Sequence, residues 1–158
     1  MTKTPSYTEV LYLYEQKHEA LLQIFSSLKD SNQIYEKIIE LGRKLPPFLD
    51  ALKTEEHLVS GCQSEVYLFS EIDIDGKMTY NIGSQALISS GLAALLLLIY
   101  QGECAELILL CPPRFISDLG LAKNLSPGRS NGLASIYARM KQETTKLYLT
   151  QTATLHSK

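Results

Sequence analysis

At 158 residues the chain is expected to form a single domain, 1–158, large enough to bury about 70% of its unfolded surface. Apolar residues make up 45% and charged residues 20%, the composition of a globular protein rather than a disordered one. The formal net charge is −2, and Lys and Arg are scattered with no basic run interleaved with aromatics, which argues against a nucleic-acid partner.

The opening residues Met1 to Ser6 lack the apolar core of a signal peptide, so the expectation is a cytoplasmic protein. Residues 8–28 read as helical, with Leu21, Ile24, Phe25 and Leu28 on one face. The run Glu15-Gln16-Lys17-His18-Glu19 interrupts the earlier part, and His18 within it is expected to be solvated. Asp30 followed three residues later by Gln33 resembles a capping box. Ile34, Ile38, Leu41 and Leu45 then fall at spacings of four, three and four, one apolar helix stripe that Pro46-Pro47 stops.

His57 to Ser60 is short and partly β-branched, a candidate first strand. Val66, Leu68, Ser70, Ile72 and Ile74 alternate with Tyr67, Phe69, Glu71 and Asp73, a strand with one apolar face. Met78, Tyr80 and Ile82 alternate after the turn signal Asp75-Gly76. A two-residue turn there would pair Ile72 with Thr79 and Glu71 with Tyr80, mixing polar and apolar residues on both faces. An odd-length loop of three or five residues keeps one face apolar and is the predicted connection.

Ser84 is the expected N-cap of an apolar helix running to Tyr100, with Gly102 just past its end. Its core, Leu92 to Tyr100, has nine unbroken apolar residues, short of the roughly 18 that span a bilayer, so a buried helix and no membrane partner are expected. A short helix is predicted over 103–110 before Pro112-Pro113. Ser126-Pro127 offers a cap and a first-turn proline for a last amphipathic helix marked by Leu133, Ile136, Tyr137, Met140 and Leu147. Residues 150–158 are polar and expected to be loose. Helices, then two or three antiparallel strands, then helices define an α+β fold with helices packed on one face of a small sheet.

The chemistry rests on cysteine. Three stand at positions 62, 104 and 111, with no C-x-x-C, and a disulfide framework does not suit a reducing compartment. Cys104 and Cys111, about 10.5 Å apart along a helix axis, are too far apart for a disulfide and read as core residues. Cys62 lies in Val59-Ser60-Gly61-Cys62-Gln63-Ser64-Glu65, between a short apolar stretch and the clearest strand, where Gly61 permits a positive φ and a loop gives reach. Spacing alone leaves two readings open, a reactive thiol or a small buried hydrophobe. Val59, Val66 and Tyr67 flank it, and no Lys or Arg lies between Leu58 and Ile74. These flanks suit a thiol that sits inward, and desolvation without a nearby cation raises a thiol pKa and lowers its reactivity. Arg129 opens the last helix between two glycines, a place to meet an anion or a carboxylate, or simply a solvated charge. His57 is the one candidate base near Cys62, and His156 is expected to be solvated.

In order along the chain, four stretches resemble the SufE family of sulfur-acceptor proteins. They are Ile38-Ile39-Glu40-Leu41-Gly42-Arg43-Lys44-Leu45-Pro46, Val59 to Tyr67, Gly83 to Leu92, and Leu125-Ser126-Pro127-Gly128-Arg129-Ser130-Asn131-Gly132-Leu133. The likeness runs from about Glu19 to Glu143. It implies a fold similar to U-type iron–sulfur scaffold proteins, and it implies that Cys62 accepts persulfide sulfur from a cysteine desulfurase. It further implies that the protein stimulates that enzyme and passes sulfur to an iron–sulfur assembly scaffold, acting as a carrier and activator rather than as an enzyme.

On the same resemblance Gly61, Gln63, Ser64, Gln85 and Arg129 support the loop or the docking surface, with no cofactor and no metal site; a homodimer stays open. Tyr67 stands where the family usually carries tryptophan, and Gln85 where it has aspartate, removing a charge near the presumed active loop. Residues 1–18 have no counterpart in the family and read as an extra N-terminal segment. The competing readings are an iron–sulfur or metal-binding scaffold using Cys62 with Cys104, Cys111 and His57, and a thiol hydrolase or peroxidase that needs a base or a resolving cysteine.

Overall fold

The computed structural model describes residues 3–157. The first helix, α1 (Tyr7–Phe25), starts at a full capping box: Glu9 N donates to Ser6 Oγ and Ser6 N donates to Glu9 Oε2. Its buried side chains are Val10, Tyr14, His18, Leu21 and Phe25, spaced four, four, three and four apart, so one stripe runs the whole length through the charged run. His18 therefore corrects the expectation of a solvated ring. It is 4% exposed, stacked on Tyr14, and its Nε2 lies 2.8 Å from Asp118 Oδ2. The N-terminal half of α1 is tied to the chain at 112–114, since Tyr14 Oη donates to Pro112 O at 2.7 Å and accepts from Arg114 N at 2.9 Å.

Helix α2 (Ser31–Arg43) is capped by Asp30, whose carboxylate accepts from Gln33 N. The return arm of the box reaches one residue further back than expected, Gln33 Oε1 accepting from Lys29 N at 2.7 Å. Two 3-10 turns follow, Asp50–Leu52 and Glu55–His57. The candidate strand at 57–60 reduces to a single antiparallel bridge, Leu58 with Tyr67.

The sheet is one antiparallel pair, β1 (Val66–Ile72) and β2 (Met78–Ser84). Its register pairs Leu68 with Ile82, Ser70 with Tyr80 and Ile72 with Met78, which leaves residues 73–77 as a five-residue loop. That is the odd length expected from the apolar alternation, and it wins over the Asp-Gly signal because Val66, Leu68, Met78, Tyr80 and Ile82 are all buried on one face. The loop is tied by Asp73, whose backbone N–H donates to Lys77 O and whose carbonyl accepts from Gly76 N.

Helix α3 (Leu87–Tyr100) packs on β2 and against α2. Ser84 is not its N-cap. It ends β2, donating from its hydroxyl to Glu65 O at 2.7 Å and accepting from Ala86 N, because strand pairing with Val66 holds it in the sheet. Then come α4 (Ala105–Leu110), α5 (Phe115–Asp118), α6 (Leu121–Asn124) and α7 (Pro127–His156). Ser126 caps α7 with Pro127 in its first turn, and α7 lies along β1.

The polar stretch from Thr150 is helical through His156 rather than loose; Lys158 lies outside the described residues. Tertiary bonds hold the last turns of α7, Gln151 Nε2 donating to Asp73 O at 2.6 Å and Tyr148 Oη to Glu106 Oε1 at 3.2 Å. One cluster of buried side chains runs from Val10 on α1 to Met140 on α7. Behind the sheet the segment after α2 covers part of the outer face, Phe48 stacking on Tyr67 and His57 meeting Phe69 edge-on. No helix is long and apolar enough to cross a membrane among the described residues.

Candidate functional site

Cys62 is carried on a loop closed at its root by Val59 N donating to Val66 O at 2.8 Å and by the Leu58–Tyr67 bridge. Between these points the chain turns at Gly61, whose φ of +89° is one that L side chains rarely adopt. The loop then lies down on the N-terminal part of α7, residue against residue. Gly61 faces Ser135, Cys62 faces Gly132, and Gln63 covers Gly128 so closely that a Cβ there would overlap the Gln63 amide.

The result is a half-buried thiol. Its Sγ is 3.8 Å from Gly132 O, a long and weak S–H···O contact. Burial pushes the Cys62 pKa above its ordinary value, and no charged neighbour adds to or offsets that shift. The flanking residues pointed to an inward thiol; the structure leaves it half-buried, with burial as the cause of its raised pKa.

A cleft of about 410 Å³ opens in front of the sulfur. Its apolar wall is Ile39, Ile88, Leu92 and Ile136, and its polar rim includes Gln63, Ser64, Ser89 and Arg129. Arg129 is exposed and held by Tyr35, with the guanidinium 5.5 Å from the ring centroid and Nη1 donating to Tyr35 Oη at 3.3 Å. Tyr35 Oη in turn donates to Asn124 O at 2.6 Å. A cation thus stands at the mouth, parked on an aromatic ring, while the sulfur itself sits among apolar groups.

Of the residues singled out from sequence, the structure brings Cys62, Gln63, Ser64 and Arg129 to this one cleft, the first three after the turn at Gly61 and Arg129 from the first turn of α7. Gln85 lines the adjoining groove of about 620 Å³, which shares Ser64 and Ala86 with the thiol cleft and includes Glu65 and Tyr67. His57 faces elsewhere, its Nδ1 3.1 Å from Thr54 Oγ1, and does not line the cleft. Cys104 and Cys111 flank α4. Among the described residues no three His, Cys, Asp or Glu side chains gather into a group able to hold a metal ion, so the set Cys62, Cys104, Cys111 and His57 is not assembled.

The sequence reading missed Tyr35, Ser135 and Arg139, and gave Gly132 no role of its own. Gly132 lay within a motif already noted, and a glycine four residues after Gly128 marks one helix face where backbone is approached closely. Tyr35 and Ser135 carried no such signal.

In class, this is an α+β protein whose hairpin and long helix together hold one thiol at the edge of a cleft. The family model for SufE, an Fe–S metabolism associated domain, matches residues 19–144. SufE-like protein 1, chloroplastic/mitochondrial, of Arabidopsis thaliana is 32% identical over 127 residues, covering 80% of this chain and 34% of that protein. An uncharacterized SufE-like protein of Rhizobium etli is 35% identical over 135 residues, covering 83% of this chain and 91% of its own. The solution structure of a hypothetical protein from Thermus thermophilus matches with a TM-score of 0.70 at 25% identity, over 84% of this chain and 96% of that one. The chain belongs to the SufE family, and residues 19–144 form its Fe–S metabolism associated domain. It spans about a third of the length of the Arabidopsis relative and about nine-tenths of the Rhizobium one.

Proposed function

We propose that Cys62 is the acceptor and carrier of persulfide sulfur delivered by a cysteine desulfurase. In the step, the Cys62 thiolate attacks the terminal sulfur of the donor persulfide, the donor's S–S bond breaks, and the donor cysteine leaves as thiolate. A persulfide forms on Cys62 with no net oxidation and no metal or cofactor. Clearing the donor cysteine stimulates the desulfurase, and Cys62 then hands its sulfur to an iron–sulfur assembly scaffold. The protein acts in the cytoplasm as a carrier rather than as an enzyme in its own right.

The observation that carries this reading is the placement of Cys62: a half-buried thiol on a loop, facing a cleft with Arg129 at its rim. Transfer of this kind needs access and a thiolate at the moment of contact, and it needs no base or resolving cysteine. Gly61, Gln63, Ser64 and Arg129 form the surface a donor would meet first, with Gln85 on the adjoining groove.

The test is intact-protein mass spectrometry after incubation with a cysteine desulfurase and cysteine. One added sulfur, mapped to Cys62 by peptide digestion, is expected. Sulfur appearing on Cys104 or Cys111 instead, or none at all, would overturn the reading.

A further inference from the structure

The chain entering the Cys62 loop is tied to α7 by one side chain. Arg139 Nη1 donates to Leu58 O at 3.0 Å and Nη2 to Glu56 O at 2.5 Å, while Nε donates to Glu143 Oε1 at 2.9 Å. The Arg139 side chain is 19% exposed; its bonds to Leu58 O and Glu143 are partly buried, while the bond to Glu56 O lies at the surface. Both carbonyls lie just ahead of the loop root formed by Val59 and Val66.

The same helix holds the tip of the loop. One turn before Arg139, Ser135 lies under Gly61; one turn earlier still, Gly132 meets the Cys62 sulfur, and Gly128 lies under Gln63. Root and tip are therefore indexed on one rod, and the distance along α7 between the Arg139 clip and Gly132 fixes where the sulfur can rest. Only a guanidinium suits the clip: its planar fork reaches two carbonyls and a carboxylate at once, whereas an ammonium is a point donor. Glu143, one turn further along the helix, orients the fork and balances its charge.

We infer that Arg139 is a positioning residue for Cys62, rooting the loop so that the thiol stays seated over Gly132 at the edge of the cleft. It does not line the cleft and acts through the Glu56–Leu58 backbone. Its consequence for sulfur transfer rests on the role proposed above for Cys62; its effect on where the thiol sits does not.

The experiment is timed iodoacetamide labelling of the full chain, with each of the three cysteines followed as its own peptide. Arg139→Gln is expected to label Cys62 about tenfold faster, the order expected when a charged hydrogen-bonded restraint on a loop is lost. Cys104 and Cys111 are expected to label as in the parent, and Arg139→Lys to fall between. Glu143→Gln, which keeps both carbonyl acceptors, is expected to accelerate Cys62 about twofold and serves if the Arg139 variants do not fold.

Unchanged Cys62 labelling in a folded Arg139→Gln protein, or equal acceleration of all three cysteines, overturns the inference; the second outcome marks general loosening. Failure of parent Cys62 to take up sulfur would overturn the carrier role and leave the labelling result standing.

Discussion

The loop around Cys62 and the short helix between Cys104 and Cys111 treat a thiol in two ways. Burial raises the pKa of all three, so acidity does not single out the proposed acceptor. The surroundings do. At Cys62 desolvation is the whole cause. At Cys104 desolvation is opposed by a hydrogen bond from the Leu107 backbone and joined by the carboxylates of Glu106 and Glu103; at Cys111 it is joined by Cys104 and Glu15, with Arg114 opposing. A thiol raised by desolvation alone is relieved as soon as its loop turns outward, whereas one facing fixed carboxylates stays suppressed wherever it points. Cys62 also has the cleft and a place on a loop between strands, while Cys104 and Cys111 sit at the two ends of α4.

The sharpest way to break this contrast is to delete each sulfur in turn. Cys62→Ser is expected to abolish both uptake of sulfur and stimulation of a desulfurase. Cys104→Ala and Cys111→Ala are expected to retain both, Cys111→Ala with a loss of about 1 kcal/mol in unfolding free energy from the small void it leaves. Stimulation surviving in Cys62→Ser, read by alanine release, would remove the basis for ranking the two regions.

Next in size is the effect of a partner on access. A desulfurase whose own cysteine has been replaced is expected to accelerate iodoacetamide labelling of Cys62 about tenfold, through a shift toward an outward loop. Cys104 and Cys111 are expected not to respond. Arg129→Ala should blunt the acceleration, because among the described residues the guanidinium at the rim is the one charged group lining the cleft. Fast labelling of the free protein, unaltered by the partner, is the result that would deny a gate.

The features that sequence made legible are those in which a pattern had one physical solution. The hairpin register followed because only an odd loop puts Leu68, Tyr80 and Ile82 on one face, and the structure has that loop. An inward thiol was expected from the apolar flanks Val59, Val66 and Tyr67, and the structure leaves Cys62 half-buried. Where local and tertiary demands competed, the local pattern misled. Ser84 looked like a cap, yet pairing with Val66 claims it for the sheet. His18 looked solvated among Glu15, Lys17 and Glu19, but its position on the Val10–Tyr14–Leu21 stripe buries it. The last turns of α7 look loose until Gln151 is seen bound to the hairpin loop at Asp73. Arg139 was invisible for the same reason: its acceptors are backbone carbonyls some 80 residues away in sequence.

The seat under the thiol offers a graded test. A Cβ on Gly132 would stand 4.0 Å from Cys62 Sγ and meet nothing closer, an ordinary van der Waals contact. Gly132→Ala is therefore expected to leave Cys62 labelling within about twofold of the parent, and to stabilise α7 by about 0.5–1 kcal/mol in denaturant melts. Gly132→Val extends two methyls into the same space and is expected to displace the sulfur, with labelling several-fold faster. A valine variant that labels like the parent would mean the sulfur does not rest on Gly132.

The smallest effect lies in the pH dependence of stability, where the two regions should add rather than differ. Free thiols begin to ionise near pH 8.5, while burial holds Cys62, Cys104 and Cys111 protonated to higher pH in the folded chain. Between those points the unfolded state binds fewer protons than the folded one, so unfolding free energy falls as pH rises, and the full stability is present only below the unfolded pKa. Tyr80, pushed up to about 12 by burial, and Tyr100, also raised by burial, extend the decline to higher pH, since free tyrosine ionises near 10. Urea melts at pH 7, 8, 9 and 10 are expected to show falling midpoints. Replacing each cysteine by alanine should flatten the pH 8–10 slope by a similar small amount, because each removes one proton held by burial. A slope unchanged in Cys62→Ala but flattened in the other two would show that the Cys62 sulfur is exposed to water in the free protein, contrary to the seat on Gly132.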